Sequence, residues 1–320
     1  MAAPVTSAPT LASSRSAFPD RAFGLLALAS GLTVLAILAL IALATTEEAL
    51  PAFQKEGLGF ITSARWAPSR DAFGALPFIY GTMVISAVAL ALALPVSVGI
   101  ALFLSELAPP RLRRPVTYLI DLLAAVPSVV FGLWGLLVLA PEIIKLYDAI
   151  SGATRSVPLL GALFGQPVNG KSYFTAGLIL ALMITPIITS LVREVYDTVP
   201  RGHKEAALAL GATRWEMIRG AVFPHSRSGT VAAVMLGLGR AMGETIAAAL
   251  VIGSSPQITA RLFGSGDAMA AVIANQFGEA GGVHRSALIG LGVVLFAMTI
   301  LVNVVARLIF GRATAAQGKP

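Results

Sequence analysis

Two charged residues inside an apolar run carry the chemistry of this sequence. Arg240 and Glu244 stand in Gly237-Leu238-Gly239-Arg240-Ala241-Met242-Gly243-Glu244-Thr245, near the middle of an apolar stretch from about Gly229 to Gly253. An arginine at mid-bilayer costs at least ~2.5–3.5 kcal/mol on insertion scales, so a helix that only crosses a membrane would not carry one. If the stretch is helical, the i, i+4 spacing puts both charges on one face, where they can pair. The acid lies C-terminal to the base, the weaker order for helix stability, which argues against a purely stabilising pair. A guanidinium presents a planar fork that fits phosphate or carboxylate oxygens. The expectation is that Arg240 meets an anion and that Glu244 holds it neutral between events, with Thr245 beside them. A buried pair that locks two helices together is the bland alternative. Gly239 and Gly243 form a GxxxG step, which by itself means close helix packing.

A second polar constellation lies just upstream. Residues 193–228 are 36 residues with no apolar span of their own. Ala206, Ala207 and Leu210 fall on one helical face. Gly211 suits a left-handed helix end. Thr213 and Glu216 match a capping box opening a second short helix. Pro224 is expected to stop that helix before the next span. The reading is a helix–turn–helix elbow on the cytoplasmic face, with an Ala-Ala-Leu surface available to a protein.

These two segments need a scaffold, and the composition says which kind. The chain has 320 residues, 56% hydrophobic and only 12% charged, with mean hydropathy +0.82. Soluble chains carry roughly 25% charged residues. An all-α integral membrane protein is expected, because no run alternates with period two as a barrel strand would. Six spans are expected, at about 23–46, 76–104, 115–140, 173–192, 229–253 and 286–310. Residues 1–22 and 311–320 read as tails. The first span is too long for a signal-peptide core of about 7–15 residues.

Six spans put both termini on one side. Fourteen of the 23 basic residues fall in the N-terminal tail, the 105–115 and 193–228 loops and the C-terminal end from Arg307 onward, against eight in the three opposite loops. The positive-inside rule then makes both termini cytoplasmic. The net charge of +7 is explained by this topology, and no nucleic-acid partner is indicated. Pro95, Pro127 and Pro186 should kink or open their helices. Near such kinks Ser128, Thr185 and Thr189 are candidates to line a path.

Gly165-Gln166-Pro167-Val168-Asn169-Gly170-Lys171-Ser172 matches the Walker A pattern letter for letter. No strand–loop–helix context surrounds it, so it reads as chance. There are no cysteines, and the histidines are only His203, His225 and His284. No metal-ligand spacing, catalytic triad or carboxylate dyad is visible, and neither metal nor cofactor is expected. A membrane enzyme would need such a cluster.

Glu205-Ala206-Ala207, Gly211 and Pro224 together resemble the EAA loop of ABC importer permeases. In that family the loop supplies a coupling helix that docks in a groove of the ATP-hydrolysing subunit. The sequence departs from the usual pattern at Ala221 and Phe223. Gly239 to Thr245 is similar to the signature of phosphate importer permeases. The runs Phe73 to Thr82 and Leu123 to Gly135 look like the PstC member of the PstC/PstA pair. The resemblance covers about residues 20–312. It implies the type I ABC importer permease architecture, in the bacterial cytoplasmic (inner) membrane, with phosphate as the translocated anion. It also implies three partners: a PstA-like second permease, a PstB-like ATPase dimer and a PstS-like extracytoplasmic phosphate-binding protein. ATP hydrolysis would then lie on a separate subunit. Rival readings are a permease for sulfate or molybdate, the PstA-type partner, and an ATP-independent anion channel or carrier.

Overall fold

A computed structural model describes the backbone of residues 17–315 and the side chains of 22–308. The expected tails 1–22 and 311–320 therefore lie largely outside the described residues. The first helix, α1 (Ala17–Glu56), runs ten residues past the expected span. Its part up to Glu47 forms a unit of its own. None of its most apolar window is buried.

The second unit begins at Glu48. A single turn, α2 (Gly59–Thr62), leads into a small hairpin, β1 (Trp66–Ala67) and β2 (Ala72–Phe73), with Trp66 opposite Phe73. These four strand residues are the departure from an all-α chain among the described residues; they are too short for periodicity to reveal. Then come α3 (Leu76–Leu102), α4 (Pro110–Ala124), α5 (Ser128–Trp134), α6 (Ala140–Thr154), α7 (Pro158–Leu163) and α8 (Tyr173–Asp197). The polar stretch forms α9 (Arg201–Ala209) and α10 (Arg214–Met217). After it come α11 (Phe223–Met242), α12 (Ile246–Val251), α13 (Met269–Gln276) and α14 (Gly282–Ala315).

Five described helices are long and apolar enough to cross a membrane. The α11–α12 pair is the remaining candidate for a crossing, and it is interrupted. The expected third span, 115–140, is displaced. Pro127 breaks that helix, and the membrane-length segment runs Ser128–Thr154, taking in residues expected to be loop. Pro95 and Pro186 sit inside continuous helices.

The helix α8 is the hub. Its apolar window is 67% buried, against at most 28% in any other candidate span. Glycines let its neighbours approach. A Cβ on Gly177 would sit 2.4 Å from Val88, and one on Gly237 would sit 2.6 Å from Ile188. The resulting core joins Ile85, Ile179, Ile184, Ile188, Ala247 and Val251. A second cluster packs Phe60, Phe78, Met269 and Leu288. The Walker-like stretch is structural: Ser172 caps α8 by accepting from Thr175 N, and Gly170 is pressed against the Ala140 carbonyl.

Three π turns share one cause. Ala108 N donates to Phe103 O at 2.6 Å. Ala140 N donates to Gly135 O, and Phe223 N to Ile218 O. Each donor immediately precedes a proline, namely Pro109, Pro141 and Pro224. Proline cannot donate to the carbonyl four residues back, and its ring clashes with that carbonyl. A five-back bond just before it widens the helix and removes the conflict.

Candidate functional site

The elbow forms largely as its residue types require. Gly211 has φ +86°, a backbone region that strains any residue with a Cβ. The capping box closes: Thr213 Oγ1 accepts from Glu216 N, and Thr213 N donates to Glu216 Oε2 at 2.7 Å. The backbone bond from Thr213 is the main reason the Glu216 carboxyl lies below the usual glutamate range, helped by the Thr213 hydroxyl. Glu205, Ala206, Leu208, Leu210 and Trp215 are exposed, while Ala207 is half-buried and packs toward the core.

Pro224 does not stop the second elbow helix. With the π turn at 218–222 absorbing it, α10 and α11 run on as one helical rod from Arg214 to Met242. The second elbow helix and Arg240 therefore lie on one continuous helical rod.

Helix α11 ends at Met242, and α12 starts at Ile246. The Arg240–Glu244 spacing thus crosses a helix break, and the expected i, i+4 pairing does not form. Among the described residues the ion pairs are Lys55–Asp71, Arg113–Asp197, Lys145–Glu142 and Lys204–Glu106. Glu244 turns inward, is 8% exposed, and Oε1 accepts from Ala247 N at 3.3 Å. Thr245 stands at the N-cap of α12 without a side-chain cap bond, and the Glu244 carboxylate serves the first turn of the helix in its place. Gly239 and Gly243 do not mediate close helix packing either, since a Cβ on Gly239 would meet nothing within 4 Å.

A cavity of about 1520 Å³ opens beside this break, walled by α3, α8, α11 and α14. Arg240, Gly239, Gly243 and Glu244 line one part of it. Thr245 is not on its wall; its hydroxyl donates to Gly243 O at 3.3 Å. Ser128 is half-buried at the start of α5 and also lies off the wall. Thr185 and Thr189 do not line it: Thr185 Oγ1 donates to Ala181 O, and Thr189 is buried. The wall includes three residues that sequence reasoning did not single out as site residues, Arg227, Asn303 and Arg307. Arg227 and Arg307 were visible as charges that the topology argument absorbed, whereas Asn303 carries no charge and gave no such signal.

Comparison with known proteins places this geometry. Residues 93–314 match the family model described as binding-protein-dependent transport system inner membrane component. The phosphate transport system permease protein PstC of Xylella fastidiosa is 44% identical over 314 residues, covering 98% of this chain and 97% of the relative. The PstC of Mesorhizobium japonicum is 41% identical over 306 residues, covering 95% and 94%. PstC 2 of Mycobacterium tuberculosis is 44% identical over 303 residues, covering 91% and 92%. Among solved structures, a bacterial alginate ABC transporter in complex with its periplasmic protein matches with TM-score 0.61. The identity there is 15%, with 93% of this chain and 98% of that chain covered. The inward-facing MetNI methionine ABC transporter matches with TM-score 0.53 at 18% identity, covering 74% and 94%. These two likenesses concern the fold, that of type I ABC importer permeases. A multi-pass inner-membrane subunit of a transporter complex, and not an enzyme, the chain belongs to the family of binding-protein-dependent transport system inner membrane components, among the permeases of the PstC kind.

Proposed function

We propose that this subunit forms half of the path by which inorganic phosphate enters the cell, and that Arg240 meets the anion on the way. The observation that carries the proposal is the position of Arg240 on the wall of a large cavity, beside a helix break within an otherwise apolar bundle. Its relatives named for phosphate transport support the choice of anion. A guanidinium left without a carboxylate partner is available to a tetrahedral oxyanion. Glu244 narrows the path and tempers its positive charge. Thr245, one residue beyond, and Ser128, at the start of the neighbouring helix α5, complete the polar surroundings.

Coupling runs through Glu205, Ala206, Ala207, Gly211 and Pro224. A PstB-like ATPase pair would receive the exposed face of α9, and its closure would push the rod that carries Arg240. A PstA-like permease would supply the other half of the path, and a PstS-like protein would deliver phosphate from outside. Both termini and the elbow are assigned to the cytoplasm on the distribution of basic residues.

The test is radiolabelled phosphate uptake by cells carrying the full complex, comparing wild type with Arg240→Gln at equal membrane levels. Uptake should fall at least tenfold, the loss of one strong charge-assisted contact worth about 1.4 kcal/mol or more. Equal uptake would make Arg240 structural. Wild-type uptake of sulfate or molybdate in place of phosphate would reassign the anion.

A further inference from the structure

The polar residues on the cavity wall are not evenly spread. One group comprises Gly239, Arg240, Gly243 and Glu244. The other comprises Ser226, Arg227, Ser228 and Thr230 from the first two turns of α11, with Asn303 and Arg307 from α14. Between Thr230 and Gly239 the α11 residues on the wall are Val231, Ala232, Met235 and Leu236, and Leu94, Val98 and Ile187 face the same space. At 1.5 Å per residue the two groups are separated by roughly 14 Å of helix, and Arg227 stands roughly 20 Å from Arg240 along the axis. A single tetrahedral oxyanion cannot touch both.

We propose that the second group is a separate oxyanion station on the elbow side, which receives the anion after it leaves Arg240 and before it reaches the cytoplasm. The assignment rests on the phosphate-import reading above. Asn303 and Arg307 are four residues apart in α14, so one helical face presents to the cavity a guanidinium and an amide whose Nδ2 also donates to Thr299 O at 2.9 Å. Arg307 stands at the C-terminal end of the membrane-length segment Gly282–Leu308. Ser228 adds a hydroxyl of the kind that completes an oxyanion shell, and the Thr230 hydroxyl beside it is hydrogen-bonded to Tyr196. Three arginines and one glutamate line the cavity, so basic side chains outnumber acidic ones on its wall. Such a wall favours an anion over a cation. The apolar belt between the groups keeps each station from holding the anion so tightly that it cannot move on, the requirement for conduction through successive sites.

The sequence contains no cysteine, so Asn303→Cys places one thiol of this chain on the station wall. The experiment uses the full reconstituted complex and follows modification of that thiol by a charged thiol reagent, with and without inorganic phosphate on the cytoplasmic face. Phosphate should slow labelling several-fold, and chloride at equal ionic strength should not. Adding Arg307→Gln should abolish the protection, and Arg307→Lys should restore part of it. If phosphate gives no protection, or chloride protects equally, in a complex that imports phosphate, the station is overturned while the import reading stands. If the Asn303→Cys complex assembles poorly, Ser228→Cys carries the same test with the same outcomes. If the wild-type complex does not import phosphate at all, the reading beneath the station falls first.

Discussion

Lys204 of the elbow reaches Glu106 in the π turn that ends the second membrane-length helix: Nζ and Oε1 are 2.6 Å apart, with the two side chains 18% and 8% exposed. This ion pair ties α9 to the helix whose Leu94 and Val98 wall the cavity. Removing one partner of a buried pair leaves the other charge without compensation, at a cost on the order of 3 kcal/mol. Glu106→Gln should lower the melting temperature of the purified complex. The double variant Glu106→Leu, Lys204→Met should recover much of the loss, because it removes both charges together. A double variant as unstable as the single one would show that the two side chains do not act as a pair.

Gly211 is the hinge of the elbow. Its φ of +86° is out of reach for most residues, and a Cβ there costs about 1–2 kcal/mol. No neighbour lies within 4 Å of that Cβ, so the cost is purely one of backbone conformation. Gly211→Ala should leave membrane insertion unchanged and reduce phosphate uptake. Gly211→Asn should fall between wild type and alanine, since asparagine tolerates the left-handed region. Equal uptake by all three would mean that the elbow's shape does not matter to transport.

Glu216 has a carboxyl held below the usual glutamate range, first by the Thr213 backbone bond. A depressed acid contributes stability that is present above its unfolded pKa and lost as the pH falls through the folded one. The elbow should therefore stay capped at neutral pH and open only in acid. Carbon chemical shifts of labelled Glu216 should titrate below the ordinary glutamate range, and Thr213→Val should bring them only part of the way back, because the backbone donor remains.

Asp267 behaves in the opposite sense. It is 3% exposed, in the loop before α13, and burial pushes its carboxyl up to about 6 despite a bond from Ala268 N. For a raised acid the stabilising contribution is full below the unfolded value of 3.8 and is lost as the pH rises through about 6. Asp267→Asn keeps the acceptor and discards the charge. It should raise the melting temperature at alkaline pH, by something on the order of 2–3 kcal/mol in stability, and flatten its pH dependence. A melting curve unchanged by pH in wild type would refute this.

Much of the architecture was legible because the bilayer imposes a simple pattern. Long apolar runs had to be helices, and Gly211, Thr213 and Glu216 announce the elbow by chemistry that has few other uses. The departures have specific causes. The break after Met242 carries no proline; it is made by Gly243 and by Glu244 turning back to cap α12, which spacing alone cannot distinguish from a helical pair. Pro127 was read as a kink within a span, whereas it separates the short α4 from the span proper. Pro224 was read as a stop, yet a π turn lets the helix pass it. Arg227 and Arg307 looked like topology charges because their positions satisfy that rule as well as any other.

The π turn at 218–222 also has a genealogical consequence. A π turn holds one residue more than the α turn it replaces, so Pro224 and an extra residue form a matched pair. A related permease lacking the proline needs one residue fewer between elbow and cavity to keep the same register. Losing that residue while keeping the proline would rotate everything downstream by about 100° and swing Arg240 off the cavity wall. A single-residue deletion at this point would therefore be compensated only if Pro224 were lost with it.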